Sequence, residues 1–225
     1  MSNTLPKKAQ VVIIGGGVIG CSVAYHLAKL GYTDIVLLER KKLTSGTTWH
    51  AAGLVGQMRS SLNLTQMVQY SGNLYETLEA ETGMATGYRR TGSVSLATNQ
   101  ERLTEFKRNA SLAKVHDVDV QILTTEELKD KINLFNLDDV VGGAWIPKDG
   151  KADPANVAMA LAKGAKNDGV KIFEDVKVTG ILKEDGKVKG VQTELGDIQS
   201  EVVVNCGGMW AREVGRMAGV SVPLH

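Results

Sequence analysis

Gly15, Gly17 and Gly20 stand in the spacing G-x-G-x-x-G, and an acid, Glu39, follows Gly20 after 19 residues (39 − 20). Residues of these types at this spacing suit the holding of a dinucleotide by its diphosphate. Gly15 permits a tight turn, Gly17 has no Cβ to keep backbone N–H groups away from a pyrophosphate, and Gly20 lets the next helix pack closely on the preceding strand. The N-terminus of that helix offers unpaired N–H groups and the positive end of its dipole. Glu39 can accept from both hydroxyls of a ribose and would repel a 2′-phosphate, which disfavours a ligand of the NADP type. Glycine is 25 of 225 residues, so the bare pattern arises by chance roughly 0.3 times in such a chain and needs its context.

The second chemical signal is Thr44–Met58, TSGTTWHAAGLVGQM, where Trp49 and His50 interrupt a run of small and hydroxyl residues. NAD and FAD share the glycine fingerprint, and this loop separates them. A nicotinamide dehydrogenase usually enters another crossover helix here. Gly46, Thr47 and Thr48, with Leu43, Thr44 and Ser45, instead suit an extended pyrophosphate and ribityl chain. Ala51, Ala52 and Gly53 allow a flat ring to lie against the backbone, with His50 pointing at it. A histidine near pH 7 supplies a neutral imidazole nitrogen able to form a covalent anchor. The plainer alternative is a hydrogen bond from His50 to a loop carbonyl. Trp49 reads as a packing residue beside the ring.

The elements that must position these residues follow from the hydrophobic pattern. Val11 to Ile14 is wholly apolar and suits a strand buried on both faces of a parallel sheet. A helix from about Val18 to Leu30 carries Cys21, Ala24, Leu27 and Ala28 at helical spacing and ends at Gly31 as a C′ residue. Ile35 to Leu38 is a second buried strand, completing a βαβ unit. An amphipathic helix bearing Leu64, Met67, Val68, Leu74, Tyr75 and Leu78 stops near Gly83, and Ser93 to Ala97 reads as a strand. Thr98 with Glu101 and Thr124 with Glu127 match the capping box. Val118 to Leu123 and Val140 to Pro147 read as strands. Asp153-Pro154 starts a helix that runs to about Asn167 and ends at Gly169. Three strands follow, Val170 to Glu174 and then two joined by a hairpin turn at Asp185-Gly186, and last Glu201 to Asn205 leads into a helix from about Trp210.

Composition sets bounds on function. The chain has 43% hydrophobic and 23% charged residues and a net charge of +1, which suits one globular domain or a tightly joined pair and argues against nucleic acid or an anionic membrane as partner. Two cysteines, Cys21 and Cys206, form no CxxC and no metal-like spacing with the four histidines, so neither a disulfide framework nor a metal is expected. No apolar run approaches the roughly 18 residues of a membrane span. The leader MSNTLPKKAQ has no apolar core and is too short for a transit peptide. A cytoplasmic protein is the default expectation, or the mitochondrial matrix for a eukaryotic chain. His26, His116, Cys21 and Cys206 read as structural, His225 stands at the last position, and Arg89-Arg90 reads as a solvated charge pair.

Several stretches together carry a family likeness: GGGVIGCSVAYHLAKLG, LLER, LTSGTTWHAAGL, ETGMATGYRRTGSVSLA, DGKADPANVAMALAKGA and VVNCGGMWAREVGRMAGVSVPL. They resemble the flavin domain of the dimethylglycine and sarcosine dehydrogenases, within the broader glycine and D-amino-acid oxidase group of flavoproteins. The resemblance covers nearly the whole chain, and its WHAAGL element is specific. It implies FAD bound covalently through His50 to the 8α-methyl carbon. It also implies oxidative N-demethylation of a small N-methylated amino acid. In that reaction hydride passes to flavin N5, the iminium is hydrolysed to formaldehyde or captured by a folate, and electrons leave to an electron-transfer flavoprotein.

By the same resemblance Val18 and Ile19 line the pyrophosphate turn, and Glu39 and Arg40 hold the adenosine ribose. Gly46 through Leu54 lie along the diphosphate and flavin. Val178 offers backbone atoms to adenine, with Val176 as the alternative register. Asn205, Cys206, Gly207 and Gly208 close under the dinucleotide; the family usually has alanine where Gly207 stands.

The expected fold is thus α/β: an FAD-binding, Rossmann-like parallel sheet with an inserted substrate-side segment, incomplete at the C-terminus. Nucleotide-binding parts are expected at about 9–56 and 151–220, and the substrate-side segment at about 84–150, of one truncated FAD-dependent oxidoreductase domain spanning residues 1–225. A folate-binding region would follow in a longer polypeptide, and the fragment alone would not complete an active site. Two rival readings stay open. One is a non-catalytic regulatory subunit resembling the pyruvate dehydrogenase phosphatase regulatory protein, a relative without the histidine of WHAAGL. The other is an amino-acid oxidase with noncovalent FAD.

Overall fold

The apolar runs of the first forty residues become strands because only a sheet covered on both faces buries four consecutive large side chains. In the computed structural model, which describes residues 4–224, Val11, Val12, Ile13 and Ile14 are all buried, as are Ile35, Val36, Leu37 and Leu38. The chain opens with β1 (Lys8–Ile14), α1 (Val18–Lys29) and β2 (Ile35–Leu38), followed by a 3-10 turn at Thr48–His50. Next come β3 (Leu54–Val55), α2 (Leu62–Thr82), β4 (Arg89–Arg90), β5 (Ser93–Ala97), α3 (Gln100–Val115), β6 (Gln121–Leu123), α4 (Thr125–Lys131), β7 (Gly142–Ile146) and β8 (Gly150–Lys151). The last third holds α5 (Pro154–Asn167), β9 (Lys171–Phe173), β10 (Val178–Glu184), β11 (Lys187–Thr193), β12 (Ile198–Asn205), a second 3-10 turn at Gly208–Trp210 and α6 (Ala211–Met217). His225 lies outside the described residues.

These elements group into two compact units. The first takes residues up to 52, 78–86 and 153 onward; the second takes 53–77 and 87–152. The first unit is built on a six-stranded sheet in the order β10-β11-β12-β1-β2-β9. β12, β1, β2 and β9 run parallel, with Val11 opposite Val202 on one side and Ile35 on the other. The expected parallel sheet is therefore extended at one edge by two antiparallel strands, β10 and β11. The reason is local: Asp185 and Gly186, at φ 49° and 75°, make a two-residue turn that folds β11 straight back on β10.

Helices α1 and α5 pack together, with the Tyr25 ring set against the bare Cα of Gly164. The opposite cluster gathers Val12, Ile14, Val36, Leu38, Val178, Val191 and Ile198, on which Phe173, Val214 and Met217 lie. Each such side chain removed from water contributes about 1.5–3 kcal/mol before chain entropy is counted. Asp153 caps α5 by accepting from Asn156 N at 2.9 Å, with Pro154 at N1.

The second unit holds two three-stranded antiparallel sheets, β3-β8-β4 and β5-β7-β6. Helix α3 lays Leu103 and Phe106 on Ala97 and Ala144. Thr124 and Glu127 make the expected capping box. Thr98 and Glu101 do not: Asn99 is the N-cap of α3, its side chain accepting from Arg102 N at 2.8 Å. The strands expected over Val118 to Leu123 and Val140 to Pro147 shorten to Gln121–Leu123 and Gly142–Ile146. Among the described residues no helix is long and apolar enough to cross a membrane.

Candidate dinucleotide-binding site

At the C-terminal ends of β1, β2 and β12 a cavity of about 460 Å³ opens in the first unit. This is where parallel α/β sheets place their ligands, because loops diverge from neighbouring strand ends and leave a crevice. Gly15 and Gly17 form part of its wall. Gly15 has φ +110°, a conformation that disfavours any side chain, and a Cβ there would overlap the Cys206 carbonyl oxygen. A Cβ on Gly20 would overlap the Gly15 carbonyl oxygen. The glycine spacing thus lets α1, the turn after β1 and the end of β12 approach backbone to backbone.

The N-terminus of α1 has Gly17 as N-cap, no side-chain cap of its own and no acid in its first turn. Its cap comes from thirty residues on: Thr48, buried at 7% exposure, accepts from Val18 N through Oγ1 at 2.9 Å. Thr44, at φ 70°, donates its N–H to Gly16 O at 2.9 Å, which fastens the same loop to the glycine turn. Glu39 clasps the turn from β2, one carboxylate oxygen accepting from Gly16 N at 2.7 Å and the other from Lys41 N at 2.9 Å. Each oxygen keeps a second lone pair for a ligand hydroxyl.

Arg40, Gly46, Thr47 and Thr48 also line the cavity, as do Val176, Lys177 and Val178, so the expected Val178 and the alternative Val176 both contribute wall. On the far side stand Cys206, Gly207 and Gly208, followed by Trp210, Glu213, Val214 and Met217. The guanidinium of Arg40 lies 3.8 Å over the Trp210 ring, and a Cβ on Gly46 would meet the same ring at 3.5 Å. Asn205 ties this segment down, donating from Nδ2 to Ala211 O at 2.8 Å and accepting from Gly207 N at 3.1 Å.

Val18 and Ile19 stand outside the cavity wall, the first with its N–H taken by Thr48 and the second 64% exposed. Trp49 and His50 are exposed and stack on one another, centroids 3.8 Å apart and planes at 34°, in the 3-10 turn that Thr48 begins. Ala51 and Ala52 continue exposed. Gly53, at φ 76°, and Leu54, the start of β3 and 81% exposed, belong to the second unit.

The residues absent from the sequence reading are Trp210, Glu213, Val214 and Met217, with Lys41 and Lys177. Their one available signal was the apolar i, i+3 pair Val214 and Met217 beside Trp210. Arg90 also departs from expectation. It is no solvated partner of Arg89 but pairs with Glu76, donating to both carboxylate oxygens and to Asn73 Oδ1. That pairing holds the Glu76 carboxyl below its ordinary range.

Cys21 is fully buried and donates weakly to Gly16 O at 3.6 Å. Burial, and then the nearby Glu39 charge, push its thiol up to about 12; burial raises Cys206 as well. His26 bonds within α1 to Ser22. His116 caps the C-terminus of α3 near Thr65 Oγ1, 3.5 Å away.

A glycine turn between a central parallel strand and a helix with no cap of its own, with an acid closing the neighbouring strand, defines a Rossmann-like dinucleotide-binding protein. The match to the family model "FAD dependent oxidoreductase" (DAO) runs over residues 10–225, and the chain belongs to that family. It is 46% identical over 229 residues to the mitochondrial sarcosine dehydrogenase of Homo sapiens, covering 99% of this chain and 25% of that protein. It is 44% identical over 226 residues to the mitochondrial pyruvate dehydrogenase phosphatase regulatory subunit of Mus musculus, covering 100% and 26%. Among solved structures, L-proline dehydrogenase from P. horikoshii superposes with a TM-score of 0.92 at 32% identity, covering 98% of this chain and 58% of that one. The chain spans about a quarter of the length of these curated relatives.

The residues present fit FAD. The backbone approach at Gly15 and Gly20, the open helix terminus and a cavity within the usual 300–1,000 Å³ range of ligand sites suit its adenosine diphosphate half.

Proposed function

We propose that this chain is the cofactor-holding part of an FAD-dependent dehydrogenase that N-demethylates a methylated glycine, sarcosine or dimethylglycine, and passes the electrons to an electron-transfer flavoprotein. FAD supplies hydride-accepting chemistry when bound. The protein supplies the hold. The α1 terminus and the glycine turn receive the diphosphate, and Glu39 accepts from the adenosine ribose. Arg40 and Trp210 wall the same cavity, and Val176 to Val178 border the adenine. The first unit serves as the nucleotide-binding part and the second as the substrate side. In a eukaryotic cell the mitochondrial relatives favour the matrix over the cytoplasm.

The observation that carries the reading is the place of His50. Its 3-10 turn is bonded through Thr48 to the helix end that receives the diphosphate, and its imidazole is exposed rather than consumed by packing. His50 is the proposed covalent anchor. His50 would hold FAD through one of its imidazole nitrogens, which would give up its proton to make the link. The regulatory-subunit reading leaves an exposed imidazole beside the site without a task.

The test is His50→Ala in the full protein. Acid precipitation should leave the variant's pellet colourless while wild type stays yellow, and flavin retained in the variant pellet would overturn the anchor. Turnover of sarcosine or dimethylglycine with an artificial electron acceptor separates the dehydrogenase from a regulatory subunit, which would show none. Peroxide formation without acceptor reduction would point to an oxidase.

A further inference from the structure

Helix α1 has a ligand-facing end with no cap of its own, and a distant hydroxyl supplies one. We infer that Thr48 is a positioning residue: its hydroxyl sets the register of the His50 turn on the N-terminus of α1, so that diphosphate binding and covalent anchoring share one reference point. This inference rests on the reading of His50 as the flavin anchor.

Thr48 is the first residue of the 3-10 turn, and the turn is closed by its neighbours' backbone. His50 N donates to Thr47 O, and Ala51 N donates to Thr48 O, each at 3.2 Å. The loop carrying the turn is rich in small residues, and the turn itself lies against α5. Polar bonds fasten the loop as well, among them Thr44 N–H on Gly16 O and Thr48 Oγ1 on Val18 N. The second bond is the nearer to His50, two residues away, and it is nearly dry, Thr48 being 7% exposed. The space is matched as well, since a Cβ on Gly17 would stand 3.0 Å from Thr48 Oγ1. A hydroxyl there satisfies a helix donor; an apolar replacement of the same shape leaves that N–H without a partner and the turn without its register.

The test compares Thr48→Val, Thr48→Ser and His50→Ala in the full protein, reconstituted from the apoprotein with FAD under dioxygen. Three quantities are read: total bound flavin, the acid-stable fraction against time, and melting temperature without cofactor. Thr48→Val should bind FAD reversibly yet form acid-stable flavin roughly 10- to 100-fold more slowly, the cost of misplacing a reacting group by about an ångström. Thr48→Ser should restore the wild-type rate. Wild-type attachment in Thr48→Val, or failure of Thr48→Ser to rescue, overturns the inference. If Thr48→Val does not fold, Thr48→Ala takes its place and must show the same selective loss. Acid-stable flavin persisting in His50→Ala would instead defeat the anchor reading itself, whatever the Thr48 variants do.

Discussion

Replacing Gly20 by alanine sets helix propensity against packing, and the structure decides the sign. Gly20 lies in the first turn of α1. Propensity alone favours alanine there by about 1 kcal/mol. The added methyl, however, would overlap the Gly15 carbonyl oxygen and stand 3.0 Å from the Gly15 carbonyl carbon and 3.5 Å from Cys206 Cβ. The obstacle is backbone, and Gly15 is itself held at φ +110° against the end of β12, so no rotamer change relieves it. The helix must lift from β1 by about 1 Å, and overpacking of this kind costs about 1–3 kcal/mol.

The net loss after the propensity gain is about 0–2 kcal/mol, or a melting temperature lower by up to roughly 8 °C for a chain of this size. Binding suffers separately, because the lifted terminus no longer presents its N–H groups to a diphosphate. Losing one charge-assisted hydrogen bond corresponds to about ten- to a hundredfold in affinity. Titration calorimetry with ADP reads the half of the ligand that this turn is proposed to hold, and scanning calorimetry reads stability. Gly164→Ala is the matched control: its methyl would press the Tyr25 ring, at 2.8 Å, away from the cavity, so it should lower the melting temperature without changing ADP affinity. A Gly20→Ala protein that melts at or above wild type and binds ADP equally well would refute the close-approach argument.

Trp210→Ala removes the face on which the Arg40 guanidinium rests, 3.8 Å from the ring centroid. ADP affinity should fall about two- to fivefold, as a half-exposed cation–π contact is worth roughly 0.5–1 kcal/mol; unchanged affinity and unchanged Trp fluorescence on titration would place the stack outside the site. Glu81 anchors the end of α2 to α1, pairing with Lys29 at 2.7 Å and accepting from Tyr25 Oη at 2.7 Å. Those two bonds, Lys29's first, hold its carboxyl below the ordinary glutamate range. A depressed folded pKa stabilises above the unfolded value and loses that contribution as pH falls through the folded one. Glu81→Gln should therefore melt slightly below wild type at neutral pH, with the gap closing in acid; a gap that widens as pH falls would contradict the assignment.

The parts of the fold readable from sequence are those where one local pattern has one physical solution. Four consecutive buried residues in each of β1 and β2 admit only a covered sheet, and Asp153-Pro154 admits only a helix start. Where two local patterns compete, sequence misleads. Thr98 and Asn99 are both good caps, and Thr98 has the better-looking partner in Glu101. Yet β5 runs on to Ala97, and the chain needs one more residue to turn into α3, which leaves Asn99 at the cap. Val118 to Val120 alternate like a strand but find no neighbour, because β7 pairs only from Gln121 onward. In the site, Gly15 and Glu39 were legible from the glycine spacing and the acid closing β2, and Thr48 as a member of the small-residue loop. The Oγ1 cap of Thr48 on α1 and the stack of Trp210 on Arg40 were not, since each depends on a partner 30 and 170 (210 − 40) positions away.

The same distance effect bears on how one helix end serves two demands. A helix terminus presents several unsatisfied N–H groups, and a bound anion needs only some of them. Here Val18 N, the first inside the helix, is given to Thr48, while Ile19 and Gly20 follow it in the turn. Had the cap come from a side chain at Gly17, its bulk would have filled the approach that a diphosphate needs; a Cβ at that position already meets Thr48 Oγ1 at 3.0 Å. Drawing the cap from the loop after β2 keeps the N-cap bare and spends the bond on holding that loop in place. The first turn of α1 carries no acid of its own, the Glu39 carboxylate being held on Gly16 N just before the N-cap, so the terminus keeps the N–H groups after Val18 for an anion while anchoring the turn that carries Trp49 and His50. An acid introduced at Ile19, exposed and free of packing demands, should stabilise α1 yet repel ADP, which sets helix stability and ligand affinity moving in opposite directions; the two rising together would show that the terminus does not face the diphosphate.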